Sequence, residues 1–283
     1  MRTDGTQVVG NLRGTGRAVG AFNVILLEHA EAVVAGAQDA GLPVVVQISQ
    51  NAVEYHGSLA PLALACLSLA DAATVPVLVH LDHVEDEALV EEGLALGVPS
   101  VMFDAAALPY AENVARTAAV TARCHAAGVW VEAELGEVGG KDGAHAPGVR
   151  TDPAEATAFV AATGVDALAV AVGSSHAMSS RDAVLDEDLV GALRDAVAVP
   201  LVLHGSSGVP DDGMRRAVAR GVAKVNVGTR LNQLLTAEVR AVLAAQERLS
   251  DPRTYLAPGR AAVRDEVSRL LRLFAGAESR DTE

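Results

Sequence analysis

The chain predicts an α/β fold, a (β/α)8 TIM barrel with a short N-terminal helix and a C-terminal helical arm. Strand-like apolar runs alternate with helix-like stretches along the 283 residues. Eight such units follow one another at a spacing of about 25–30 residues, a pattern that closes as one parallel barrel. Four of the runs open on proline after a small or polar turn, in GLP, TVP, GVP and AVP. Proline at the first residue of a strand removes no ladder hydrogen bond.

In chain order the strands read as Ala18–Asn23, Pro43–Ser49, Pro76–Asp82, Pro99–Asp104, Val129–Glu134, Asp166–Val172, Pro200–His204 and Ala223–Asn226. The helices between and after them read as Glu28–Ala40, Leu59–Ala73, Glu85–Leu96, Ala111–Ala126, Pro153–Ala162, Asp186–Ala196, Pro210–Arg220 and Thr229–Leu249. Residues ahead of Ala18 predict a short helix across the bottom of the barrel. Asp251–Phe274, with apolar residues at helical spacing, predicts the arm. No linker interrupts the pattern, so residues 1–283 read as a single barrel domain. A doubly wound open sheet is the alternative, but neither GxGxxG nor a Walker A pattern follows the first strand. The longest glycine-rich stretch, Gly136–Gly148, falls after the fifth strand, where a barrel places an active-site loop.

Composition narrows the function classes. Half of the residues are apolar but few are aromatic, so the core is built from small aliphatic side chains. A net charge of −14 argues against nucleic acid or an anionic membrane as partner. A metal cation and backbone amides can still create a local site for a small anion. No apolar stretch reaches about 18 residues without a charge, and the N-terminus is not signal-like, so a cytoplasmic protein is expected. Cys66 and Cys124 lie far apart in helix-like segments and read as reduced, buried thiols.

Polar residues gather where a barrel builds its site, at the C-terminal ends of the strands. Those ends carry Asn23, Gln47 and Ser49, Asp82 and His83, Asp104, Glu134, His176, His204 and Asn226. His83, His176 and His204 sit at or just past the ends of three apolar runs. Three protein ligands and one open position describe a catalytic zinc site. Asp82 adjoins the first of them as a carboxylate able to move protons. HGSSG (His204–Gly208) follows the seventh strand and NVGT (Asn226–Thr229) the eighth, the two loops that frequently hold phosphate in barrels. Their glycines let backbone N–H groups approach an anion, and Ser206, Ser207 and Thr229 add hydroxyls. His80 reads as a barrel-interior residue supporting the site, and His29, His56, His125 and His145 as structural or surface residues.

LVHLDH, VMFDAA, VEAELGEVGG, HGSSG and KVNVGT occur in this order. The set resembles the class II, zinc-dependent ketose-bisphosphate aldolases, which include the tagatose- and fructose-bisphosphate enzymes. The resemblance runs from AFNV (Ala21–Val24) to the tail DPRTYLAPGRAAVRDEV (Asp251–Val267). It implies zinc ligation by His83, His176 and His204, with Asp104 and Glu134 able to hold the ion in an alternative position. It implies Asp82 as an acid/base. Gly205, Ser206, Ser207, Asn226, Val227, Gly228 and Thr229 would grip dihydroxyacetone phosphate, and Asn23, Gln47 and Ser49 would surround the substrate.

Three positions depart from the family pattern. The loop reads GGKDG, so Lys141 replaces an acid and Asp142, with Glu137 in reserve, is the second acid/base. Ala177 stands where glycine is usual, beside the phosphate or a monovalent cation (Na+ or K+). Gly228 stands where some fructose-bisphosphate enzymes have aspartate. Arg260 in the tail is a candidate for a distal substrate phosphate. A homodimer or homotetramer with shared sites is implied. Two other readings stay open. A metallohydrolase would want an H-x-H pair where the first strand ends in Phe22–Asn23. A non-catalytic subunit would have no need of the Asp82, His83, His176 and His204 set.

Overall fold

The computed structural model describes residues 1–135, 150–174 and 182–276. Eight parallel strands close in sequence order: β1 (Val19–Asn23), β2 (Val44–Ser49), β3 (Val77–Val84), β4 (Ser100–Phe103), β5 (Trp130–Leu135), β6 (Ala167–Val170), β7 (Leu201–Leu203) and β8 (Val222–Val227). β8 pairs back onto β1, with Val19 opposite Lys224. The helices are α1 (Gly5–Val8), α2 (Leu27–Ala40), α3 (Gln50–His56), α4 (Ala60–Ala72), α5 (Glu87–Leu96), α6 (Tyr110–Ala126), α7 (Pro153–Thr163), α8 (Glu187–Ala196), α9 (Asp211–Arg220), α10 (Thr229–Ala245) and α11 (Pro252–Phe274). All eight predicted strands and their helices are present, with no end shifted by more than four residues.

Side-chain alternation along each strand divides the protein into two cores. Residues such as Val44, Val46 and Ile48 or Val77, Val79 and Leu81 face the helices and join the large outer cluster. Val45, Leu78, Met102, Trp130, Ala167, Ala169 and Val202 face inward and fill the lower barrel. Val8 and Val9 complete that inner cluster from below, so the N-terminal helix closes the barrel bottom. A side chain on Gly5 would meet the Trp130 ring at 2.3 Å, and glycine is what lets α1 lie flat against the indole. The arm α11 packs on α2 and α10.

α3 is the element that sequence patterning missed. It is seven residues long and starts directly at the end of β2, where the Ser49 hydroxyl accepts from the Ala52 N–H and Gly57 ends it in the left-handed conformation.

Candidate active site

Going up the barrel, the inward stripe changes from aliphatic to polar. Above Val45 come Gln47 and Ser49; above Leu78 come His80 and Asp82; above Trp130 come Glu132 and Glu134. Period two accounts for all of these but not for His83, whose neighbours Leu81 and Val84 both join the helix-facing core. The β3–β4 register slips between Leu81 and Val84, so that three residues of β3 oppose two of β4. His83 takes up the extra residue at φ 50, the left-handed region. This bulge turns Asp82 and His83 into the same cavity, although they are adjacent in sequence.

His83 Nδ1 lies 2.7 Å from Asp104 Oδ2 and 3.8 Å from Glu134 Oε2. A carboxylate only accepts, so Nδ1 is the donor of this pair and Nε2 is the nitrogen left for a cation. Across the barrel, His204 Nε2 donates to Glu132 Oε1 at 3.1 Å, while its Nδ1 sits 3.5 Å from Glu134 Oε2. The two imidazoles meet edge to face with centroids 4.7 Å apart. Asp82 Oδ2 accepts from Asn23 Nδ2 at 2.7 Å and Oδ1 from Asn226 Nδ2 at 3.3 Å. Gln47 Nε2 donates to Asn23 Oδ1 at 3.1 Å, which fixes the Asn23 amide from below.

Charge follows from this packing. Burial opposes a charged His204, but hydrogen bonds to Glu132 and Glu134 outweigh it and raise the imidazole to about 9. Burial alone would raise the Asp82 carboxyl; the charges of His83, Lys224 and His204 more than offset that and hold it below the usual range. Burial, with Lys224 nearby, pushes His80 down to about 3, so it stays neutral, with its Nδ1 2.6 Å from Ser100 Oγ. The place between His204 and Glu134 therefore attracts positive charge, and a metal binding there would displace a proton.

The donor chemistry fits a divalent cation. Ligand atoms of Asp82, His83 and His204 come within 4.8 Å of one another, as do those of His83, Asp104 and Glu134. Each imidazole is oriented by a carboxylate on its other nitrogen, and mixed imidazole and carboxylate donors suit zinc. His176, Ala177 and Asp142, with Glu137 and Lys141, lie outside the described residues.

A cavity of about 500 Å³ opens at this end of the barrel. Asn23, Ser49, Asp82, His83 and Asn226 line it, together with Gly205, Ser206, Ser207, Gly228 and Thr229 from the two glycine-rich loops. Gly205 is left-handed, and Ser206–Gly208 forms one tight turn pinned by the Ser206 hydroxyl donating to the Asn226 carbonyl. Gly228 precedes the 17-residue α10, whose first N–H groups receive no side-chain cap. An uncapped helix start is a ready place for an anion. A side chain on Gly228 would reach 3.2 Å from Asn23 Oδ1, and glycine here keeps that wall open.

Three other predicted residues lie elsewhere. Gln47 is buried beneath Asn23, and Val227 packs in the outer core. Arg260 pairs with Glu31 at 2.5 Å on the face between α11 and α2. Sequence reading passed over Glu132, although Glu132 and Glu134 are two apart on one strand and period two puts both inside. It also passed over Asn51, Tyr55 and Asn232 at the cavity mouth; the first two lie on α3, the helix it did not predict.

Comparison with known proteins identifies the family and the fold. The family profile described as Fructose-bisphosphate aldolase class-II matches residues 3–279. The crystal structure of the YdjI aldolase from Escherichia coli K12 is similar at a TM-score of 0.86 with 30% identity, over 100% of both chains. A protein of Coccidioides immitis, assigned as a fructose-1,6-bisphosphate aldolase, is similar at 0.83 with 29% identity over 95% of this chain and 94% of that one. Fructose-bisphosphate aldolase from Campylobacter jejuni shares the fold at 0.77, with 21% identity over 96% and 95% of the chains.

Proposed function

The chain belongs to the class-II fructose-bisphosphate aldolase family, and on that premise we propose that it is a zinc-dependent aldolase acting on a ketose 1,6-bisphosphate of the tagatose or fructose type. The products are dihydroxyacetone phosphate and an aldehyde such as glyceraldehyde 3-phosphate. One observation carries the reading: the β3 bulge turns Asp82 and His83 into one cavity, opposite His204 and beside two glycine-rich loops.

Under this proposal His83, His176 and His204 hold the ion, with Asp104 and Glu134 beside it. A divalent cation there supplies Lewis-acid stabilisation of the negative charge that develops next to the ketone. Asp82, held ionised, accepts the proton of the C4 hydroxyl as the C3–C4 bond breaks. Asn23 and Asn226 keep its two oxygens aimed. Backbone amides of Gly205–Ser207 and Gly228–Thr229 hold the phosphate end of the three-carbon fragment. Asp142 returns a proton to that fragment. A monovalent cation, Na+ or K+, belongs to the same proposal at Ala177.

The enzyme would work as a cytoplasmic homodimer or homotetramer, a state that sedimentation measures directly. Among the described residues no helix is long and apolar enough to cross a membrane.

The test is release of dihydroxyacetone phosphate from tagatose and fructose 1,6-bisphosphates side by side, with and without a chelator. Chelator-sensitive release is expected, and the ratio of rates names the preferred epimer. No release from either by zinc-replete protein would overturn the assignment to these bisphosphates.

A further inference from the structure

Beneath the candidate metal donors lies a charged layer that the proposed chemistry does not use. Glu132 and Lys224 are both fully buried inside the barrel, joined at 2.8 Å through Glu132 Oε2. The other oxygen, Oε1, accepts from His204 Nε2 at 3.1 Å. His80 Nε2 stands 3.9 Å from Oε2. Lys224 reaches this layer through a second bulge. The β7–β8 register runs from Leu201 opposite Val222 to Val202 opposite Lys224, skipping Ala223. Two register slips in one barrel thus aim residues at the same centre, His83 from β3 and Lys224 from β8.

Stability does not account for this layer. Taking an ammonium and a carboxylate out of water is costly, and apolar residues of like volume commonly replace a buried ion pair at no loss. The geometry points instead to His204. We infer that Glu132 is a positioning residue that selects Nδ1 as the metal-binding nitrogen of His204, and that Lys224 holds Glu132 in place to do so. The inference rests on the metal-dependent reading above.

The chemistry follows from donors and acceptors. Glu132 as a carboxylate can only accept, so the proton on His204 Nε2 is the one that stays when a cation takes the other nitrogen. His83 is fixed the opposite way, through Nδ1 by Asp104 at 2.7 Å. Clamping one ring by Nδ1 and its neighbour by Nε2 sets two imidazoles nearly perpendicular, at 70° between planes. Each then presents its remaining nitrogen. Without the Glu132 clamp, the His204 ring loses the acceptor that fixes its Nε2 proton.

The test measures metal affinity, not turnover. Zinc dissociation constants of the full chain are read by competition with a chromophoric chelator, and the visible spectrum of the cobalt-loaded protein reports ligand geometry. E132L/K224M replaces the ion pair with apolar side chains. It should keep the wild-type melting temperature or better, bind zinc about 100-fold more weakly and shift the cobalt bands. E132Q/K224M keeps a carbonyl acceptor for Nε2–H and should lose only about tenfold; it carries the same test if the apolar pair fails to fold. A purely structural role predicts unchanged zinc affinity in any variant that folds, and affinity within twofold of wild type in either variant overturns the inference. A wild type that takes up neither zinc nor cobalt overturns the metal-dependent reading and this inference with it. A wild type that binds metal but cleaves no bisphosphate leaves this inference standing, because the readout is affinity.

Discussion

Asp82→Asn separates proton transfer from architecture. The Asp82 carboxylate accepts from two amide groups, Asn23 Nδ2 at 2.7 Å and Asn226 Nδ2 at 3.3 Å. Asparagine offers one acceptor oxygen and one NH2, so one of the two amides meets a donor in place of an acceptor. That mismatch costs about 1–2 kcal/mol, which a barrel of this size tolerates. Loss of a general base costs a factor of about 10²–10⁴, or about 3–5 kcal/mol at the transition state. The catalytic loss therefore exceeds the structural one. The assay is kcat/KM for dihydroxyacetone phosphate release, alongside metal content by mass spectrometry and the melting temperature. We expect a folded, metal-replete protein with turnover reduced at least 100-fold. Turnover within tenfold of wild type would refute Asp82 as the base. Loss of activity in proportion to loss of metal would also refute it, by making Asp82 a ligand. Neighbouring positive charges hold the carboxyl below its usual range, so the base is already ionised at neutral pH. The acid limb of the wild-type pH profile that it controls should lie well below neutrality.

Three further outcomes follow from the packing. Lys224→Met strands Glu132 in a fully buried place and should destabilise the fold by about 3 kcal/mol in urea titration; this is the low end for a broken buried pair, because His204 still donates to the other carboxylate oxygen. Two helical glycines should respond to alanine with opposite signs in thermal unfolding. At Gly36 on α2 the new Cβ would lie 2.5 Å from the Arg264 carbonyl oxygen and 2.9 Å from Val267 Cβ on α11, and overpacking of about 1–3 kcal/mol outweighs a gain of about 1 kcal/mol in helix propensity; at Gly191 on α8 nothing lies within 4 Å, so stability should rise by about 0.5–1 kcal/mol. Burial pushes the Cys66 thiol up to about 12 and the Cys124 thiol up to about 11, so neither should react with iodoacetamide at pH 8 until the protein unfolds.

Much of the fold was legible because strand and helix leave different periods in the sequence. The eight apolar runs, their leading prolines and the helical spacing of Asp251–Phe274 are local signals, and each matches an observed element within a few residues. α3 escaped because seven residues are too few to show a helical period. Its marks were a serine at Ser49 and a glycine at Gly57, which also read as a turn. Polar strand ends brought Asn23, Asp82, His83, Asp104, Glu134, His204 and Asn226 into view. Glu132 was passed over because it lies one step below the strand end, where a barrel is expected to be aliphatic. Lys224 sits inside a strand run, and its place beside a buried carboxylate could not be read without the β5–β8 geometry. Arg260 shows the opposite limit: helical spacing puts it on the arm but does not say which way the arm faces, and the arm turns it toward Glu31.

The strand period explains both what was legible and what was not. Alternation can deliver one inward residue in every two, so a strict strand offers Asp82 or His83 to the cavity but not both. A proton acceptor set directly against a metal-ligand candidate demands consecutive inward residues. The barrel meets that demand by spending one residue of register at β3 and holding His83 at φ 50. For a residue with a Cβ, that conformation costs about 1–2 kcal/mol. The bond to Asp104 and the packing of Leu81 and Val84 into the outer core hold it there. The same device recurs at Ala223, where the slip brings Lys224 under Glu132. One departure from ideal pleating lies near the top of β3; the other lies at the foot of β8, beside Val19 and Val202, and turns Lys224 inward so that its ammonium meets Glu132. Among the described strands, the two places where alternation fails thus each turn a polar side chain toward one centre, His83 from β3 and Lys224 from β8.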